Sequence, residues 1–188
     1  MGHFEDGEWV ADDWSKVANK KGAFVRPKTA FHGWIRADGS TEFEAEPGRY
    51  HLYVSYACPW AHRTLIVRTL KRLEDAISIS VVEPFMDQDG WRFGEAPGAI
   101  PDTVNGTTYL REIYAKADPG YSGRVTVPVL WDKRSGTIVN NESAEIIRMF
   151  DAEFGREESD FYPPELRAEI DSINERVYET VNNGVYKC

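Results

Sequence analysis

Tyr50-His51-Leu52-Tyr53-Val54-Ser55-Tyr56-Ala57-Cys58-Pro59-Trp60-Ala61 is the stretch whose reading decides the fold. Residues 50–56 are rich in aromatic and β-branched side chains and read as a strand. Pro59 suits the first position of a helix, where its missing N–H costs nothing. Leu65, Ile66, Leu70 and Leu73 then recur at helical spacing, so a helix over residues 61–73 follows. Cys58 therefore lies between a strand and a helix N-terminus. The partial positive charge and free N–H groups of a helix start favour an anion there, and cysteines so placed react as thiolates.

The elements around this unit complete an α/β layer. Residues 77–82 alternate and read as a second strand, and residues 83–106 as a long loop with glycine and proline. Loops of that length inside a compact domain are usually functional or disordered. A helix is expected over residues 107–117, stopped by Asp118-Pro119-Gly120. Residues 125–131 form a third strand whose internal Pro128 marks an edge, a bend or a cis bond. Residues 137–139 form a fourth, and Asn140-Asn141 cap a helix over residues 142–154. The order β-α-β-loop-α-β-β-α fits a thioredoxin-like α/β domain over residues 49–155.

Two flanks remain. Residues 1–48 carry Trp9, Trp14, Phe24, Phe31 and Trp34 without sustained periodicity, and read as an extended N-terminal arm packing its aromatics on the domain. After a polar linker, Pro163-Pro164 opens a helix to about Val181 with an apolar stripe of Ile170, Ile173, Val177 and Val181.

Composition narrows the chemistry. At 41% hydrophobic and 28% charged residues, the 188-residue chain is of ordinary globular type. Its formal net charge of -9 argues against nucleic acid and against anionic membrane surfaces as partners. Nothing approaches the roughly 20 apolar residues of a membrane span, and no secretory signal opens the chain, so a cytoplasmic location is expected. Two cysteines, Cys58 and Cys188, are too few for a disulfide scaffold and fit a reducing compartment.

In Cys58-Pro59-Trp60-Ala61 the fourth place of a dithiol motif holds alanine. A disulfide on Cys58 then needs an external thiol to resolve it, which points to glutathione as co-substrate. Cys188, at the chain end, is poorly placed for that task. His62 lies one turn after Cys58 and reads as structural or supporting; no metal site is expected, since two ligands do not make one. A cis bond at Val127-Pro128 would present the Val127 backbone beside the thiol, where an extended peptide pairs with it as an added strand. Glu142 and Ser143 stand at a helix start. They are either a plain cap or a site for an α-amino-acid end, with Glu142 on the amine and Ser143 on the carboxylate.

Taken together, residues 53–64, Asp89-Gly90-Trp91, residues 121–132, Asn141-Glu142-Ser143-Ala144-Glu145-Ile146-Ile147 and residues 182–187 resemble the glutathionyl-hydroquinone reductases, the xi-class glutathione transferases. The resemblance covers nearly the whole chain. It implies Cys58 as the catalytic thiol, with Trp91, Arg124, Val127, Glu142 and Ser143 binding glutathione, and with aromatic quinol conjugates as substrates. It also implies that residues 163–188 begin an all-helical C-terminal domain, which in the family supplies much of the quinol pocket and of a homodimer interface. On that comparison the chain is C-terminally short, and the stripe from Ile170 to Val181 lacks its usual cover. A broader glutathione-dependent thioltransferase and a glutathione-binding module of little turnover are the alternatives.

Overall fold

The computed structural model describes residues 1–12, 29–155 and 159–187. Trp14, Phe24 and Cys188 lie outside the described residues. The described chain forms two compact units, one of Met1–Asp12 with residues 29–155, the other of residues 159–187.

In chain order the first unit contains β1 (Gly2–Glu5), β2 (Glu8–Ala11), β3 (Ile35–Arg36), β4 (Phe43–Glu44), β5 (Tyr50–Val54), α1 (Pro59–Leu70), β6 (Ile77–Val81), β7 (Met86–Asp87), β8 (Gly90–Trp91), α2 (Leu110–Ala117), β9 (Gly123–Arg124), β10 (Val129–Asp132), β11 (Thr137–Asn140) and α3 (Ser143–Ala152). The main sheet runs β11-β10-β5-β6. β5 and β6 are parallel and joined through α1, while β10 is antiparallel to both β5 and β11. This is the thioredoxin-like arrangement that the order of elements predicts. Every residue of β5 is buried, as a strand covered on both faces must be. α1 and α3 pack together, and a buried ion pair between Lys71 Nζ and Asp151 Oδ1 (2.9 Å) joins their far ends.

Four local features differ from the sequence expectations. Residues 1–12, read as irregular, form the hairpin β1–β2, and β1 also pairs antiparallel with β9. Its turn is Asp6-Gly7, both with positive φ (48° and 85°), the backbone that two-residue hairpins require. Phe4 is buried, and Trp9, Phe31 and Trp34 pack against the same core. The loop over residues 83–106 contains the small hairpin β7–β8, turned through Gln88-Asp89 and followed by Gly90 with φ 92°.

α1 buries Ala61, Thr64 and Arg68; of the four apolar residues at helical spacing, Leu65 packs against the core and Leu73 is buried just past the helix, whereas Ile66 and Leu70 are 45% and 55% exposed. Arg68 is retained inside because its Nε donates to Ile77 O (2.7 Å) and its Nη2 to Glu74 O (3.0 Å). Finally, the cap of α3 is Glu142, whose Oε1 accepts from Ala144 N (3.1 Å), rather than Asn140-Asn141. Asn140 supports the same helix end, its Oδ1 accepting from Glu142 N (2.7 Å) and its Nδ2 donating to Glu145 Oε2 (2.6 Å) and Gly33 O (3.0 Å), while Asn141 Oδ1 accepts from Phe31 N (3.2 Å).

The second unit starts with a 3-10 turn at Pro164–Leu166, continues as α4 (Arg167–Val177), and ends in a π turn over Tyr178–Asn182 and a 3-10 turn over Gly184–Lys187. Ile173, Val177 and Val181 of its stripe are exposed.

Candidate active site

β5 ends at Val54, and the chain turns through Ser55-Tyr56-Ala57 into α1. Ser55 makes the turn: its O accepts from Cys58 N (3.1 Å) and its Oγ from Ala57 N (3.3 Å). Cys58 is the N-cap residue, with extended φ −98° and ψ 114°, and its O accepts the first helical bond from His62 N (3.0 Å). Pro59 stands at the first helical position as expected. The N–H groups that open a helix have no partner within it, so the start of α1 favours an anion at the end where the thiol sits.

The Cys58 thiol is partly buried and donates to Val127 O at 3.5 Å. The Val127–Pro128 bond is cis. Of the three alternatives for Pro128, the cis bond is the one found.

A second cluster lies at the start of α3. Arg63, in the second turn of α1, donates from Nε (2.9 Å) and Nη2 (2.7 Å) to Ser143 Oγ. Its Nη2 is also 3.5 Å from Glu142 Oε1, and its guanidinium lies 5.0 Å from the centre of the Trp60 ring. Glu142 and Ser143 are thus tied to the helix that carries Cys58. Sequence reasoning gave Arg63 no role, although it stands only five residues after the cysteine.

Trp91 and Arg124 are placed by the N-terminal hairpin. Trp91 is buried in β8, and the β7–β8 hairpin is held by Trp9 Nε1 donating to Gln88 O (3.1 Å) and by Arg111 Nη1 on Asp89 Oδ1 (2.8 Å). Arg124 lies across from His3 in the β1–β9 pair, and its Nη1 binds Asp12 Oδ2 at the end of β2. Burial would raise the Asp12 carboxyl, but the hydrogen bond and charge of Arg124, with those of His3, hold it below the ordinary carboxylate range. Nothing in sequence spacing announces a contact between residues 12 and 124.

His62 is exposed. Among the described residues, no group of three or more His, Cys, Asp or Glu side chains is arranged to hold a metal ion, and no helix is long and apolar enough to cross a membrane.

Residues 57–153 match the family model of the glutathione S-transferase N-terminal domain. The chain belongs to the glutathione S-transferase family. Within that family it is 54% identical, over its full length, to the glutathionyl-hydroquinone reductase YqjG of Escherichia coli strain K12 and spans 60% of that protein's length. Among solved structures, the xi-class glutathione transferase from Natrialba magadii matches 99% of this chain and is itself covered to 56%, with a TM-score of 0.88 and 52% identity. The glutathione-bound structure of E. coli YqjG matches 83% of this chain and is covered to 54%, with a TM-score of 0.80 and 57% identity. The chain thus resembles the xi class of glutathione transferases over most of its length.

Proposed function

We propose that this glutathione transferase chain carries the glutathione half of a glutathionyl-hydroquinone reductase. The observation that carries the reading is the Cys58 thiol at the α1 N-cap, 3.5 Å from Val127 O, in a motif with alanine where a resolving cysteine would stand. In the first step the Cys58 thiolate attacks the glutathione sulfur of a glutathionyl-hydroquinone. The carbon–sulfur bond breaks, the ring carbon takes a proton and leaves as hydroquinone, and a Cys58–glutathione disulfide remains. In the second, the thiolate of a second glutathione attacks the glutathione sulfur of that disulfide, forming oxidised glutathione and returning Cys58 as a thiolate. The two sulfurs lose the electron pair that the ring gains. Exchange of this kind depends on the thiolate fraction and on the leaving thiol.

Glutathione is the co-substrate and no metal takes part. Val127 N–H and C=O pair with the peptide of glutathione, Glu142 takes the γ-glutamyl ammonium, Ser143 its carboxylate, and Trp91 and Arg124 bind the remainder. Residues 49–155 are the glutathione-binding domain, residues 1–48 an arm, and residues 163–188 the start of the helical domain. Aromatic quinol conjugates are the substrates, a homodimer the assembly and the cytoplasm the compartment.

Turnover is tested with a glutathionyl-hydroquinone and with 2-hydroxyethyl disulfide, each with glutathione in excess. Hydroquinone release faster than disulfide reduction supports the proposal. Disulfide reduction alone turns the reading to a general thioltransferase.

A further inference from the structure

We infer that Arg63 is the positioning residue that makes the α3 N-terminus selective for the γ-glutamyl end of glutathione. This rests on the glutathione reading above. A serine hydroxyl has one proton to give and two lone pairs to accept with. Arg63 Nε and Nη2 both donate to Ser143 Oγ, at 2.9 and 2.7 Å. With both lone pairs taken, the hydroxyl can act toward a ligand only as a donor, which is what a carboxylate needs. The same guanidinium stands 3.5 Å from Glu142 Oε1, and the Glu142 carboxylate also accepts from Ala144 N (3.1 Å). Arg63 and the Ala144 N–H therefore orient the Glu142 carboxylate, and an oriented acceptor is what an ammonium needs.

The arrangement places donor character at Ser143 and acceptor character at Glu142, on neighbouring residues. That polarity fits a zwitterionic α-amino-acid end. Arg63 is itself fixed by lying over Trp60, and its side chain is 32% exposed, as is that of Glu142 at 34%. Because Arg63 and Cys58 share α1, the recognition of the γ-glutamyl group is geometrically coupled to the nucleophile. A lysine has no rigid fork and cannot reproduce both bonds to one oxygen.

The test is calorimetric binding of S-methylglutathione and of S-methylcysteinylglycine, which lacks the γ-glutamyl group. The proteins are the wild type, Arg63→Met, Arg63→Lys, Ser143→Ala and the Met/Ala double variant, each first shown folded by circular dichroism. Hydrogen bonds to charged groups are strong enough that Arg63→Met is expected to weaken S-methylglutathione about tenfold or more. Its affinity for S-methylcysteinylglycine stays within about twofold of wild type, on the same energetic ground. Arg63→Lys falls between, and Ser143→Ala adds little to Arg63→Met because the two act as one unit. An Arg63→Met protein that keeps wild-type preference, or that loses both ligands equally, overturns the inference. A wild type that itself shows no preference for the γ-glutamyl ligand overturns the glutathione reading with it.

Discussion

Replacing Asp132 by asparagine is expected to remove about 3 kcal/mol of stability, because it breaks a buried ion pair and leaves the buried Arg49 with only Glu46 Oε1 (3.2 Å) and Glu42 O (2.9 Å) as acceptors outside this position among the described residues. The Asp132 side chain is fully buried and that of Arg49 is 5% exposed. Arg49 donates from Nε to Oδ1 (2.9 Å) and from Nη2 to Oδ2 (2.6 Å), Ser135 Oγ donates to Oδ2 (2.6 Å), and Arg134 N donates to Oδ1 (3.0 Å). Burial would raise this carboxyl, but those bonds, the Arg49 bond foremost, bring it down to about 2. An unfolded aspartate titrates near ~3.9, so the ionised form contributes about 2 to 3 kcal/mol to folding. The pKa is depressed in the folded state. The contribution is therefore present above pH ~4 and is lost as pH falls through about 2. Urea unfolding followed by circular dichroism at pH 7, 5 and 3 measures both effects. Wild type should lose stability between pH 5 and 3 more steeply than Asp132→Asn, which starts lower. An Asp132→Asn protein within about 1 kcal/mol of wild type at pH 7, well short of the loss from a broken buried pair, would refute the reasoning.

Two further predictions concern other groups. His51 is fully buried between Ser78 Oγ (2.7 Å) and Ser80 Oγ (2.9 Å), and burial pushes it down to about 4. Its unfolded state takes a proton first, so the neutral ring favours the fold above pH ~6.5, and that advantage is lost as pH falls toward 4. His51→Gln is expected to flatten the stability profile between pH 6.5 and 4, read from thermal midpoints across that range. Asp12→Ala frees the Arg124 side chain from the end of β2 and is expected to weaken S-methylglutathione severalfold, on the order of one charge-assisted hydrogen bond, and to lower the thermal midpoint, since the pairing of the buried Asp12 carboxylate with His3 is lost as well. Calorimetry with the folded variant reads this, and unchanged affinity would remove Arg124 from the glutathione site.

The part of the fold nearest the nucleophile was legible because it is written in local chemistry. A β-rich run, a cysteine and a proline at a helix start leave few alternatives, and β5, Cys58 and α1 stand where that pattern puts them. The buried face of α1 was legible only in part. Leu65 packs against the core and Leu73, just past the helix, is buried, but Ile66 and Leu70 are exposed, Ala61 and Thr64 are buried instead, and Arg68 enters because backbone carbonyls satisfy its guanidinium. The β1–β2 hairpin carried a readable signal, Asp6-Gly7, which a search for long periodicity passes over. At the site, Cys58, Val127, Glu142 and Ser143 follow from motif and helix-start chemistry. What joins them does not. The Arg63 contacts span 80 residues and the Arg124–Asp12 contact spans 112, and only the folded chain brings such partners together.

The most direct test of the account is intact-protein mass spectrometry of the 188-residue chain and its Cys58→Ala variant after incubation with a glutathionyl-hydroquinone and no free glutathione. The account predicts one glutathione adduct on wild type, none on the variant, and hydroquinone released in equal amount, with the adduct cleared when glutathione is added. Wild-type protein that is folded yet gains no adduct and releases no hydroquinone would contradict it.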